Sequence, residues 1–349
     1  MKRSEVEEER EFIKRLRYYR RIFESYLFKR KVSNLSFWHT DLKANNLSEG
    51  DRKSVGLYPM NFVAKVTYKK HRDNDGVIML DYGGELGVQY NPNAIAQAAL
   101  GFYDLYMQSS ELKNRKLQQE LDIKSFFTQV DWFVTHGRRV KNNILLWEYE
   151  FPFESREYLQ KPWRSALAQG QAISVLIRAY ILSEKEVYLK AAHDGFNAFR
   201  HEGLEHEGGV IFRNKEDVWL EEAIIKKPNH ILNGFVWALW GVRDYAVFTR
   251  DEYAIRLYEE AEKTLRRTLN LYDLGFWTCY DCVTDMGDPI MPVSSYYQRL
   301  HITQMLGMYE LTNKEDYYLI YKKWRSYYQN RFYKIFAFCW KCYFKVRYW

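Results

Sequence analysis

Nowhere in this chain of 349 residues do about 18 apolar residues run together, so no segment is built to span a membrane as a helix. The first residues, MKRSEVEEEREFIKRLRYYRR, lack an apolar stretch and a small-residue cleavage site. That pattern is unlike a secretory leader, and a cytoplasmic location is the expectation. Nucleic-acid motifs are missing too: there is no helix-turn-helix signal and no RNP-like aromatic strand. Gly83, Gly84 and Gly87 do not have the spacing of a dinucleotide fingerprint, and no helix start follows them directly. In HEGLEHEG (201–208) the histidines stand five apart, whereas HExxH needs four to share a helix face, so the segment is read as a polar connector. Cysteine is scarce, with four residues arranged as Cys279-x-x-Cys282 and Cys339-x-x-Cys342. Four thiolates can hold zinc, but the stretch between these pairs far exceeds that of a zinc ribbon. Free thiols and a redox pair are the other readings in a reducing compartment, and no bound metal is expected.

Aromatic residues are abundant, at 17% of the chain, with 29 Tyr and 11 Trp. Flat rings with polar tips suit a groove that stacks on sugar faces, and they suit the core of a large helical protein equally well. The formal net charge of +7 favours an anionic partner by long-range steering. Without a nucleic-acid motif, that partner is an acidic sugar polymer or a membrane surface.

Residues 1–55 read as a charged helix and a connector. Phe12, Ile13, Leu16, Tyr19 and Ile22 recur at helical spacing in the first 31 residues, and a polar irregular stretch follows. Residues 56–91 read as a β-hairpin module, with strands in LYPMNFVAKVTYKK and VIMLDYGGELGVQY and a turn at Asp73, Asn74, Asp75 and Gly76. Asp73 and Asp75 lack the rest of a calcium loop, so a plain turn is expected. From 92 to 330 the chain reads as helical. AQAALGFYDLY (96–106), GQAISVLIRAY (170–180), NGFVWALWGVRDY (233–245) and LHITQMLGMYEL (300–311) recur about every seventy residues. More charged amphipathic helices are predicted between and after them, at 117–135, 184–200, 251–270 and 314–328. Apolar helices inside and charged helices outside give a mainly α fold, an (α/α) barrel or toroid whose mouth is made of connecting loops. The tail 331–349 carries five Lys/Arg, nine aromatics and no acid. It is suited either to an anionic membrane interface or to packing its rings on the body.

Four blocks carry a resemblance: SALAQGQAISVLIRAY (165–180), WLEEAI with HILNGFVWALWGVRDY (219–245), LYDLGFWTCYD (271–281) and YYQRLHITQML (296–306). In that order and spacing the chain resembles the D-glucuronyl C5-epimerases over about 57–329, with YPMNF and GVQYNPNAIAQ fitting the hairpin region. The resemblance implies inversion of glucuronate to iduronate within a heparosan-type polymer, by removal of the C5 proton and its return on the opposite face. It also makes a homodimer an expectation. Such chemistry needs an acid/base on each face of C5 and groups that neutralise the adjacent carboxylate, but no redox cofactor. By resemblance Glu222 serves one face, Tyr297 the other, and Tyr280 contacts the substrate carboxylate. Expected substrate-binding residues are Trp163, Arg164, Gln169, Glu221, Asn233, Arg299 and His301. Trp163 is suited to stacking on a sugar and Arg164 to pairing with a carboxylate, while His301 also fits a core histidine. A phenol near pKa about 10 needs a cationic or hydrogen-bonded setting to act as a base; Lys226, Lys227, Arg299 and His301 are the candidates to supply it.

Two positions depart from the family pattern. Ala223 and Ile224 stand where the family has tyrosine and proline, and Val283 stands where it has an arginine three residues past the tyrosine matched by Tyr280. Loss of carboxylate-holding donors keeps two other readings open. One is a polyuronate lyase, which shares the first proton removal. The other is a non-catalytic protein that binds acidic glycans or a membrane. Glu148, Glu150 and Glu154 in WEYEFPFE are further mouth candidates, since paired carboxylates also support glycoside hydrolysis.

Overall fold

The computed structural model describes residues 35–110, 116–282 and 287–348. The helix expected at 1–31 and the departure at Val283 lie outside them. The described chain is mainly helical. Its long helices are α1 (Pro92–Ser110), α2 (Lys116–Thr135), α3 (Ala166–Ser183), α4 (Glu186–Phe196), α5 (Leu232–Thr249), α6 (Glu252–Thr268), α7 (Ser295–Thr312), α8 (Glu315–Gln329) and α9 (Arg331–Tyr348).

The seventy-residue period is a period of helical hairpins. α1 packs on α2, α3 on α4, α5 on α6 and α7 on α8. Three of these hairpins turn the same way. Glu184, Arg250 and Asn313 adopt left-handed backbone with φ of 56°, 57° and 55°, and their N–H groups donate to Tyr180, Ala246 and Tyr309 carbonyls. Each of the next helices then opens on a glutamate, Glu186, Glu252 or Glu315, which complements its positive N-terminal end. The first members of the hairpins are the inner ones. α3 is buried continuously from Ala166 to Ala179 and α5 from Leu232 to Ala246. By contrast, α6 buries a single stripe through Ala254, Leu257, Ala261 and Leu265, as an amphipathic outer helix does.

The inner helices follow one another in space as in sequence, α1 beside α3, α3 beside α5, α5 beside α7. Gln97 on α1 donates to Gln171 on α3 at 3.3 Å, and Arg178 on α3 pairs with Asp244 on α5 at 2.6 Å. Each pair joins equivalent depths of its two helices, so α1, α3 and α5 run parallel and their N-termini share one end. α3 and α5 approach so closely that a Cβ on Gly241 would stand 2.2 Å from the Gly170 carbonyl oxygen. The segment before α1 lies between α7 and α1. Its strands β1 (Lys43–Ala44) and β2 (Met60–Asn61) pair antiparallel; β1 contacts α7, and β2 contacts both α7 and α1.

Residues 57–90 correct the expected hairpin. In the first half only Met60–Asn61 is strand, paired with Lys43–Ala44, and Val63–Val66 is a helical turn; the second half folds on itself, Leu80–Asp81 pairing with Val88–Gln89. The reason in the first half is tertiary: Lys65 is buried and donates to the Phe37 and Trp38 carbonyls at 2.6 and 3.1 Å, which this turn allows. The turn at 73–76 forms as expected, with Asp73 accepting from the Asp75 and Val77 amides at 3.0 and 2.8 Å. Further two-stranded pairs are β3 (Leu80–Asp81) with β4 (Val88–Gln89), β5 (Arg138–Val140) with β6 (Ile144–Leu146), β7 (Phe153–Glu154) with β8 (Tyr158–Leu159), and β9 (Ile211–Arg213) with β10 (Val218–Leu220). The basic tail forms α9, which rests through Tyr333, Phe336 and Trp340 on the ring of Phe276. Among the described residues no helix is long and apolar enough to cross a membrane.

Candidate active site

At the N-terminal end of α5, three loop segments lock together. The Glu221 amide donates to Val210 at 3.1 Å, and its carbonyl accepts from Ala166, the first residue of α3, at 2.8 Å. With the backbone of Glu221 held this way, the two glutamates part. Glu221 turns to His230, which it meets at 2.5 Å while that imidazole stacks on Trp219. Glu222 turns to the first turn of α5, where Asn233 donates to its Oε2 at 3.0 Å. Its fit there is tight: a Cβ on Gly234 would stand 2.3 Å from the same oxygen.

Tyr280 is brought to Glu222 by its backbone. Its amide donates to Met291 at 2.9 Å and its carbonyl accepts from Leu232 at 3.3 Å. Tyr297 sits in the first turn of α7, where its amide donates to the cap residue Ser294. The two phenol rings meet edge to face with centroids 5.3 Å apart. Burial pushes the Glu222 carboxyl up to about 7, against hydrogen bonds from Asn233 and Tyr280. Burial, then the charge of Glu222, drives the Tyr280 phenol well above its usual range, so Tyr280 stays a neutral donor. The cluster therefore contains a carboxyl poised near neutrality, a fixed phenol donor and a second phenol, beside the positive ends of α5 and α7.

Several sequence candidates are engaged within the fold. Gln169 donates to the Leu145 and Gly195 carbonyls at 2.5 and 2.9 Å. Arg164 clamps the 201–209 connector through the carbonyls of Gly203, His206 and Gly209. Trp163 stacks face to face on Tyr149 at 3.8 Å and packs on the cluster of Leu159, Ala223 and Ile225. Ala223 is thus buried against Trp163. His301 is wholly buried, 3.0 Å from the Thr278 hydroxyl, and burial pulls it down to about 3. Arg299 stays close to the tyrosines, 6.0 Å from the ring of Tyr296. Lys226 and Lys227 are exposed, and Lys227 pairs with Asp288 at 2.8 Å. Glu148 is bound by Arg138 at 2.5 and 2.9 Å, while Glu150 is exposed. Cys279 and Cys282 are buried, Cys339 and Cys342 are on α9, and among the described residues no cluster of three or more His, Cys, Asp or Glu is placed to hold a metal.

Three neighbours were not singled out from sequence. Burial, then the negative charge of Glu222, raises the phenol of Tyr149 well above its usual range. Arg156 grips Asp281, next to Tyr280, through two bonds of 2.5 and 2.7 Å. His39 packs on Tyr296, the neighbour of Tyr297, with the rings tilted by 36° and centroids 4.7 Å apart. Tyr149 lies inside the WEYEF run, between Glu148 and Glu150. Nothing local marks Arg156 or His39, which lie far from 280 and 297 in sequence.

Residues 141–326 match the family described as D-glucuronyl C5-epimerase C-terminus, a span that contains Glu222, Tyr280 and Tyr297. An uncharacterized protein of Methanocaldococcus jannaschii is 29% identical over 253 residues, 70% of this chain and 79% of that protein. A D-glucuronyl C5-epimerase of Caenorhabditis elegans is 30% identical over 198 residues, 52% of this chain and 31% of that protein. The chain thus spans under a third of the nematode enzyme. Since the match takes in more than half of the sequence and all of the paired-helix blocks from α3 to α7, the chain belongs to the D-glucuronyl C5-epimerase C-terminal family.

Proposed function

We propose that the protein is a uronate C5-epimerase that converts D-glucuronate to L-iduronate within a heparosan-type polysaccharide. The observation that carries the reading is the convergence of Glu222, Tyr280 and Tyr297 at the N-termini of α5 and α7. Glu222 takes the C5 proton from one face, and the electron pair of the broken C–H bond is delocalised into the uronate carboxyl. Tyr297 gives its phenol proton to the other face of C5, the resulting phenolate and protonated Glu222 return to their starting forms by proton exchange with solvent, and the reverse reaction runs through the same groups with their roles exchanged. A carboxyl near pH 7 is divided between its two forms at neutrality, so it both takes and gives a proton with little driving-force penalty. Asn233 holds Glu222 in place, and on substrate binding Tyr280 turns its single O–H from Glu222 to the uronate carboxyl in which charge develops, supported by the dipoles of α5 and α7. No cofactor enters this scheme.

The same proposal reads the four hairpins as an (α/α) toroid with this site at its mouth. It takes an acidic polysaccharide as partner and a homodimer as assembly. It places the protein in the cytoplasm with α9 in peripheral contact with a membrane, where Phe332, 82% exposed, and Tyr343, 60% exposed, would face lipid.

The test is deuterium exchange. The protein is incubated with heparosan in deuterated water and C5 is followed by NMR. Deuterium at C5 together with iduronate signals is the expected result. An unsaturated uronate, seen by its absorbance, would turn the assignment to a lyase. Polymer binding with no exchange on N-acetylated or N-sulfated chains would leave a non-catalytic glycan binder.

A further inference from the structure

His230 has left-handed backbone, with φ of 51°, and unlike Glu184, Arg250 and Asn313 it ends no helix. Such a conformation is uncommon for a residue with a side chain and persists where surrounding contacts impose it. Those contacts converge on His230 from several segments. Glu221 Oε1 lies 2.5 Å from the imidazole Nδ1, Trp219 stacks on the ring at 4.0 Å with planes 15° apart, and the Tyr272 hydroxyl donates to the His230 carbonyl at 2.6 Å. On either side of His230 the chain is tied to the Tyr280 segment: the Cys282 amide donates to the Asn229 carbonyl at 3.0 Å, and the Leu232 amide to the Tyr280 carbonyl at 3.3 Å. Glu221 and His230 are both buried, and Glu221 Oε2 has no hydrogen-bond partner among the described residues. The imidazole N–H is therefore the donor that compensates this buried carboxylate. Glu221 directly follows strand β10, and in extended chain successive side chains point to opposite faces. A Glu221 side chain fastened to His230 thus commits Glu222 to the other face, where Asn233 donates to it at 3.0 Å. His230 in turn immediately precedes the start of α5. One imidazole thereby ties the strand end that carries Glu222 to the helix start that receives it.

We propose that His230 is a positioning residue for Glu222, acting through Glu221: the bond across the base of the 222–229 loop holds the Glu222 carboxyl against the first turn of α5. Its bearing on turnover rests on the reading of Glu222 as the proton carrier at C5. The imidazole is buried and packs on Trp219 and Phe212, with ring centroids at 4.0 and 5.6 Å, so it works through Glu221 and not on the substrate.

The test reads kcat and KM of C5 exchange on heparosan for the full chain and its variants. His230→Phe keeps a ring against Trp219 but has no donor for Glu221. Its kcat is expected to fall on the order of 100-fold, as for a displacement near 1 Å, with KM little changed. His230→Asn is expected to restore most of the rate, because asparagine tolerates left-handed backbone and places an amide N–H where Nδ1–H stands. In a Glu221→Ala background His230→Phe should add no further loss, as for two residues acting as one unit. An unchanged rate in His230→Phe, His230→Asn as slow as His230→Phe, additive losses or a change in KM alone overturns the assignment. Thermal melting identifies a loss that comes from unfolding; if His230→Phe does not fold, His230→Gly, which fits the same backbone, takes its place. Placement is also read without turnover, from the Asn233 side-chain NH2 signal in protein made with isotope-labelled asparagine. His230→Phe should shift that signal through the disturbed Glu222 bond, and His230→Asn should leave it in place; a signal unmoved by His230→Phe overturns the proposal. A protein that shows this response but no C5 exchange sinks the epimerase reading and leaves the positioning of Glu222 by His230 standing.

Discussion

Glu222 illustrates how one side chain is tuned by where the chain puts it. Its carboxyl is pushed up to about 7 because it is packed against the first turn of α5. The sign for stability follows. Below its unfolded value, about 4.3, the carboxyl is protonated in both states and the folded state bears no cost. As pH rises through 7 the folded protein must bury the charge, and that stability is lost. Glu222→Gln is therefore expected to melt higher than the parent at pH 8, with the difference vanishing below about pH 4.3 in thermal scans. The same variant should lose C5 exchange by about 100-fold or more, the scale of general acid–base catalysis. Gly234→Ala tests placement without removing a functional group. Its new Cβ would stand 2.3 Å from the Glu222 oxygen, so the carboxylate must move. A drop in exchange of roughly 100-fold is expected, as for a displacement near 1 Å, with pH-rate and melting measurements separating it from unfolding.

At the scale of elements, the site depends on inner helices held parallel and in register. Arg178 and Asp244 link α3 to α5 in full burial, and Arg178 also donates to the Gly56 carbonyl at 3.0 Å. One pair thus joins two inner helices to the segment preceding α1. Arg178→Met leaves Asp244 with less compensation in the core, because Arg243 is its remaining close partner at 3.2 Å. A loss of about 3–5 kcal/mol is expected in urea unfolding, as for other broken buried pairs. A loss below 1 kcal/mol would mean that Arg243 and repacking carry the charge.

For the whole molecule, α9 is the helix that lies beyond the residues of the family match. Its rings Tyr333, Phe336 and Trp340 converge on Phe276, which lies only four residues before Tyr280. Phe276→Ala should release α9 and make 331–348 an early site of limited proteolysis, while the hairpins from α1 to α8 stay resistant. Cleavage no faster than in the parent would show that Ala337 and Phe344, both buried, suffice to hold it. The net charge of +7 acts over the same scale, and added salt should slow association with an acidic polymer.

The sequence by itself determined the repeated helical hairpins, because apolar spacing follows the helical period and the turn residues recur with it. It also marked Glu222, Tyr280 and Tyr297, which lie in ordered blocks of a family pattern. It could not show that 57–70 folds as a turn instead of a strand, since the burial of Lys65 beneath Phe37 and Trp38 decided that. Nor could it separate the two glutamates: neighbours in sequence, they part because the Glu221 backbone is pinned between Val210 and Ala166. Gln169 and Arg164 read as polar groove residues, yet backbone carbonyls that only the fold brings near consume their donors. Tyr149 and Arg156 reach the site from distant segments. Local pattern records which face of a helix is buried, whereas the neighbours that a side chain meets across the fold set its charge state and partners, and these were decided only in tertiary structure.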